Sequence, residues 1–251
     1  MKNATLLNHR GSKKIDRQTL SKIATPAATK SWCPVGHSEL LDLVGQKAEE
    51  HGFKVTEGEH AVSKLGRRYF GVLELQRSNG PKSGDYTLCV GLRNSIDRSL
   101  SAGLVSGTKV FVCDNMAFSG EVSIFRQHRR YIKDHLPQMV SDAITFIDDK
   151  LFVKEQKRVE AYKSSELADS RVHDLLIKTM DDHVISASDI PMVLKEWRSP
   201  RHPEFVKSGP SAWRLFNAYT ETLKSVNFID LPRRTQILHS TFDKLCGIGE
   251  N

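Results

Sequence analysis

The chain contains none of the short motifs that mark the common catalytic classes. It has no GxxxxGK[ST], no HExxH, no GxSxG and no GxGxxG placed after a strand pattern. That excludes the usual phosphate-loop, zinc-protease, serine-hydrolase and dinucleotide signatures. It also has no apolar run near the roughly 20 residues that span a bilayer, and no apolar N-terminal segment of the secretory kind. The expectation is therefore a cytoplasmic protein without membrane contact. Cysteine is scarce: Cys33, Cys89, Cys113 and Cys246 are scattered without CxxC spacing, which argues against a structural zinc site or a disulfide framework. Cys89 and Cys113 lie in apolar runs and read as small core residues. No metal or cofactor is expected.

What is present fits a globular body. The chain has 251 residues, 39% hydrophobic and 27% charged, enough to bury a core as one large domain or two small ones. The net charge of +7 is unevenly spread. Residues 1–30 hold Lys2, Arg10, Lys13, Lys14, Arg17, Lys22 and Lys30 against Asp16 alone, so the other 221 residues are nearly neutral. A basic tail of this kind attracts phosphate without sequence preference, although a solvated arm reads the same way.

Three regions follow from the patterning. Residues 1–36 read as a basic, partly irregular arm, with Pro26 and Pro34 as breakers. Residues 37–155 open with an amphipathic helix, where Leu40, Leu41, Val44 and Ala48 recur at helical spacing and Gly52 closes the run. Strand signals come next: a short one at Phe53–Thr56, an alternating one at Arg68–Leu75, a turn-rich hairpin loop from Ser78 to Gly84, a return strand at Tyr86–Leu92 and another at Lys109–Cys113. Short strands joined by turns predict an antiparallel sheet. After Gly120 the pattern turns helical, and residues 156–251 read as a helical region that either continues the same domain or forms its own. The helical stripes after Gly120 include Val140, Ile144, Ile147 and Leu151, and within 156–251 Val172, Leu175, Leu176 and Met180, and later Trp213, Phe216 and Tyr219, an aromatic spacing that belongs to core packing. Asn217 among them predicts a bond across helices, and 198–209 a Pro-containing connection holding His202. The fold class is α+β: an antiparallel sheet with a preceding helix, followed by a mostly helical C-terminal half.

The stretch Val90–Arg130 carries the most unusual chemistry. Asn94, Ser95, Asp97, Asp114, Asn115 and His128 are polar where a plain sheet would be apolar. Short polar side chains at a strand end fix turns by bonding nearby N–H groups, which makes Asn94, Ser95 and Asn115 candidates for a structural polar network. Asp97, Asp114 and His128 are the candidates for a catalytic or metal-dependent hydrolase or nuclease site, if the fold brings them together. Arg126, Arg129, Arg130 and Lys133, with Phe125 and Tyr131 interleaved, suit nucleic acid, and in a helix they share one face. Lys64, Arg67 and Arg68 extend that basic set. His37, just before the first long helix, fits either a capping position or a switch.

The runs GLRNSIDRSL, GTKVFVCDNMAFSGE and RQHRR, preceded by PVGHSELLDLV and followed by WRSPRHPEF and WRLFNAYTETLK, resemble the bacterial family grouped as domain of unknown function 932, also called phage- or plasmid-like proteins. The resemblance runs from about Leu6 to Leu245, and at His128-Arg129 the family pattern has a His-Thr pair. It implies a bacterial, phage or other mobile-element setting and brings no catalytic residues with it. The order of helix, antiparallel hairpins and helix also looks like phage single-strand annealing proteins, a likeness of fold that does not fix function. The leading expectation is a non-enzymatic accessory protein that binds nucleic acid, DNA foremost, with self-association left open. The competing expectations are the metal-dependent enzyme and a protein-binding module such as an inhibitor of host defence.

Overall fold

Backbone pairing between sequence neighbours builds the whole sheet. The computed structural model describes residues 12–78, 86–110, 116–226 and 230–248. Six strands, β1 (Lys13–Ile15), β2 (Phe53–Ser63), β3 (Arg68–Arg77), β4 (Tyr86–Ser95), β5 (Ala102–Val110) and β6 (Met116–Arg126), lie side by side in sequence order. Every neighbouring pair is antiparallel. α1 (Arg17–Ser21) and α2 (His37–Glu50) precede β2. Glu39 accepts the Gly36 N–H at 3.1 Å and so satisfies an orphan donor at the start of α2. The stripe Leu40, Leu41, Val44 and Ala48 is buried, and Gly52, at φ +78, takes the left-handed conformation that ends the helix.

Several expected strands are longer than their sequence patterns indicate. The short strand at Phe53–Thr56 runs on to Ser63, because residues 57–63 pair with β3 despite their polarity. The Gly/Ser-rich connection after Ser95 is largely β5. Its glycines are there for close approach: a Cβ at Gly103 would sit 2.3 Å from the Phe125 ring, and one at Gly107 would sit 2.8 Å from the Phe118 ring. The chain does not turn helical at Gly120, since β6 continues to Arg126. Part of the arm is regular. Lys13–Ile15 pair with β2, while Lys14 and Arg17 meet Glu59 and Asp42 at 3.1 and 2.6 Å, so its second half is built into the body. The expected hairpin loop from Ser78 to Gly84 lies outside the described residues apart from Ser78, as do residue 85 and residues 111–115, including Cys113.

The remainder is helical: α3 (Ile132–Phe146) passes through one π turn (Ile147–Leu151) into α4 (Phe152–Ser164). Then come α5 (Asp169–Asp181), α6 (Ile190–Arg198), α7 (Pro203–Lys207), α8 (Ala212–Leu223) and α9 (Leu231–Leu245). α7 occupies part of the expected Pro-containing connection, and Pro203 falls where a first turn tolerates proline. α2 and α3 pack on one face of the sheet, and α9 runs against β6. The Phe118 N–H donates to Thr235 Oγ1 at 3.0 Å, and the Phe118 carbonyl lies 3.0 Å from the same hydroxyl. The division expected between 155 and 156 falls within α4, where Glu155 and Arg158 form a buried ion pair and Arg158 reaches Asp243 of α9 at 2.8 Å. Asn217 is buried, and its amide donates to the Trp213 carbonyl of its own helix at 2.9 Å.

Two glycines give opposite outcomes on substitution. A Cβ at Gly91 would lie 2.6 Å from the fully buried Phe118 ring and 3.0 Å from Val105, whereas nothing lies within 4 Å of one at Gly45, inside α2. Urea denaturation is expected to show Gly91→Ala destabilising by about 1–3 kcal/mol and Gly45→Ala stabilising by about 0.5–1 kcal/mol.

Candidate nucleic-acid interface

Antiparallel pairing sends the β2–β3 turn, the β4–β5 connection and the exit of β6 to the same end of the sheet. The turn Lys64–Arg67 carries three successive left-handed residues, Lys64 (φ 52), Leu65 (φ 56) and Gly66 (φ 83), a conformation that two side-chain-bearing residues adopt only when other contacts hold it. The hold comes from below. His37, the first residue of α2, donates from Nε2 to the Gly66 carbonyl at 3.0 Å. Its Nδ1 accepts from Asn94 Nδ2 at 3.1 Å, and that amide also donates to the Val35 carbonyl at 2.8 Å. The Val35 N–H in turn donates to His128 Nδ1 at 3.2 Å. This network fixes both imidazoles as the Nε2–H tautomer.

All three side chains are buried, and Asn94 is fully so. Burial pushes the His37 and His128 imidazoles below their ordinary range, and for His37 the neighbouring His128 adds to the effect. Asn94 Oδ1 and His128 Nε2 find no hydrogen-bond partner among the described residues. Next to this cluster, His60 Nδ1 and the Tyr69 hydroxyl meet at 3.0 Å, and the Tyr69 ring lies 5.5 Å from that of His37.

Above the cluster the loops are stitched into one surface. The Ile96 N–H donates to the Arg67 carbonyl at 2.9 Å, joining the turn to the β4–β5 connection. Ser95 Oγ lies within 3.0 Å of both the N–H and the carbonyl of Leu100. Asp97 accepts from the backbone and hydroxyl of Ser99, and Arg68 bonds the same hydroxyl at 2.8 Å. Partial burial opposes the Asp97 charge, yet these bonds hold its carboxyl below the ordinary value. The Arg98 guanidinium covers the Trp32 ring at 4.6 Å, Trp32 forms a β-bridge with Arg129, and the Cys33 N–H donates to the His128 carbonyl at 3.1 Å.

The expected basic residues therefore share one rim but not one helix. Arg126 ends β6, Arg129 and Arg130 lie in the following bridge and turn, and Lys133 is the second residue of α3. No shared helical face forms, because the strand ladder holds the chain extended through Arg126. Lys64, Arg67, Arg126, Arg129, Arg130 and Lys133 are exposed, Arg68 partly so. Some are already engaged: Lys133 with Glu39 at 2.8 Å, Arg126 with the Met139 sulfur, Arg129 with Gln127 and Arg130 over the Tyr131 ring. Arg98, exposed and central to the rim, belongs to this set although no spacing marks it. His37 is the other residue the sequence pattern leaves undecided, and its partners lie 29 and 57 positions away.

The candidate catalytic trio Asp97, Asp114 and His128 stands differently. Asp97 is committed to Ser99 and Arg68, and His128 to Val35. Asp114 and Asn115 lie outside the described residues. Among the described residues no group of three or more His, Cys, Asp or Glu side chains is arranged to hold a metal, and no helix is long and apolar enough to cross a membrane.

The family model described as domain of unknown function (DUF932) matches residues 27–241. The chain belongs to the DUF932 family. The matched span contains the whole rim and the polar cluster beneath it. No curated protein and no solved structure matches this DUF932 chain.

The lowered imidazoles set a pH dependence. An unfolded chain takes up protons on its histidines as pH falls through about 6.5, whereas His37, His60, His128 and the buried His239 resist them in the fold. Stability conferred by the neutral rings is complete above that pH and is lost progressively below it. Urea midpoints are expected to drop between about pH 7.5 and about pH 5.5, and to drop less in His128→Gln.

Proposed function

We propose that this DUF932 protein binds nucleic acid, with DNA the leading ligand, along the basic end of its sheet. One observation carries the reading: three loops distant in sequence meet there and expose Lys64, Arg67, Arg98, Arg129 and Arg130 together, while the nearby carboxylates Asp97 and Glu39 are occupied by Arg68 and Lys133. Cations gathered on one rim and spaced along a surface fit a phosphate backbone. The ring of Tyr131, 57% exposed, offers a stacking platform beside them. The basic arm adds attraction that is independent of sequence. The role that goes with this chemistry is a non-enzymatic accessory of a phage, plasmid or other mobile element, acting in the cytoplasm on single-stranded DNA.

The test is binding of labelled single-stranded and duplex DNA across a salt series. Affinity is expected to fall steeply with salt. Arg98→Glu and Arg130→Glu each remove a phosphate contact and are expected to reduce the log–log salt slope by about one. Both residues are exposed, so these changes leave the core intact. Binding that ignores salt, or that is unchanged in the double variant, overturns the reading.

A further inference from the structure

On the face of the sheet opposite α2 and α3, a cavity of about 290 Å³ opens between β3–β6 and the first turns of α9. Strand alternation sends Phe70, Arg93, Val105 and Phe125 to this face, and the ladder sets Phe70, Arg93, Gly103 and Phe125 side by side across four strands. Phe70 and Val105 are buried and give an apolar floor. Arg233 and Gln236 of α9 complete the wall.

Arg93 is the unusual member. Its guanidinium carbon lies 4.0 Å from the Phe125 ring centroid, and its Nε is buried without a hydrogen-bond acceptor among the described residues. No carboxylate among the described residues lines the cavity or pairs with Arg93 or Arg233. A half-buried cation held in this way is costly unless an acceptor arrives, and the burial already makes its proton easier to lose. Phe125 is 45% exposed and lies across Gly103, where any side chain would displace it. Two arginines with no carboxylate partner among the described residues call for an anion or the acceptor edge of a base, and the apolar floor with an open ring calls for a planar body. The pocket also lies near the basic end of the sheet, since Phe70 is two residues along β3 from Arg68.

We propose that this pocket receives one nucleotide of a bound single strand, its base against Phe125 and the apolar floor and its acceptor groups at Arg93 and Arg233. The assignment rests on the strand-binding reading above. It predicts a preference for single strands, since a paired base cannot leave its stack without cost.

The experiment is fluorescence anisotropy of a labelled oligothymidylate of about 20 nucleotides, and of a duplex of the same length, with wild-type protein and the variants Phe125→Ala and Ser123→Trp. Ser123 is exposed on the cavity wall, so tryptophan there fills the space without touching the core, and circular dichroism checks that each variant is folded. Phe125→Ala and Ser123→Trp are expected to weaken single-strand binding about tenfold, while leaving duplex affinity and the salt slope unchanged. Wild-type oligonucleotide affinity in both folded variants, with loss in Arg98→Glu/Arg130→Glu, overturns the pocket and leaves the rim standing. No binding of either nucleic acid by the wild type at about 50 mM salt overturns the strand-binding reading itself. Thymidine 5′-monophosphate, titrated alone, is the arm for a free nucleotide. Binding that Ser123→Trp abolishes while oligonucleotide affinity is unaffected reassigns the pocket to free nucleotides and overturns its role on a strand.

Discussion

The peptide of Val35 is the point on which the basic end of the sheet hangs. Its carbonyl accepts from Asn94 and its N–H donates to His128, so a single backbone unit from the segment before α2 ties β4 to the exit of β6. Asn94 passes the connection on to His37, and His37 passes it to the strained turn at Gly66. Because these groups are shut away from water, each depends on its partner: a buried polar atom left unmatched costs about 1–3 kcal/mol. The loops above need that rigidity, since Lys64 and Leu65 hold backbone conformations that a free loop would abandon. The rim is thus a surface of loops with the fixity of a core.

The other half of the molecule has its own fixed point. Arg158, 2% exposed, is bracketed by Glu155 and Asp243, and the Tyr162 hydroxyl donates to the same Asp243 carboxylate at 2.7 Å. Aromatic rings from α4, α8 and α9 enclose the group, with Tyr162 between Phe216 and Phe242. Removing one partner of such a buried pair costs about 3–5 kcal/mol, because the remaining charge is stranded. The cluster joins α4, which continues from the helix on the sheet, to α9, which lies against β6, and so couples the helical half to the strands by charge as well as by packing.

The sequence was legible where one period dominates and opaque where contacts are distant. Leu40, Leu41, Val44 and Ala48 announce α2 because a single face of that helix is buried. β5 was hidden because Gly103, Ser106 and Gly107 look like loop residues, yet the glycines are demanded by rings on the next strand. β1 was hidden for a similar reason, as Lys13–Ile15 have the charge of a tail and gain their order only by pairing with β2. The basic set Arg126–Lys133 is visible in composition, but the strand ladder, which runs to Arg126, takes the place of a helix there. Asn94 and Ser95 were visible as polar residues out of place. His37, Trp32 and Arg98 acquire meaning only from partners far along the chain, which no local pattern encodes.

The clasp between Phe118 and Thr235 spans 117 positions, whereas every strand of the sheet pairs with its neighbour in sequence. Closing short loops is fast and closing long ones is slow. A chain emerging from its N-terminal end can therefore assemble β2 to β6 as successive hairpins well before α9 exists. During that interval β6 is an edge strand with a free backbone, the kind of edge that recruits other chains. The late arrival of α9 makes the last helix a guard, the cover under which a sheet built one hairpin at a time becomes safe in company.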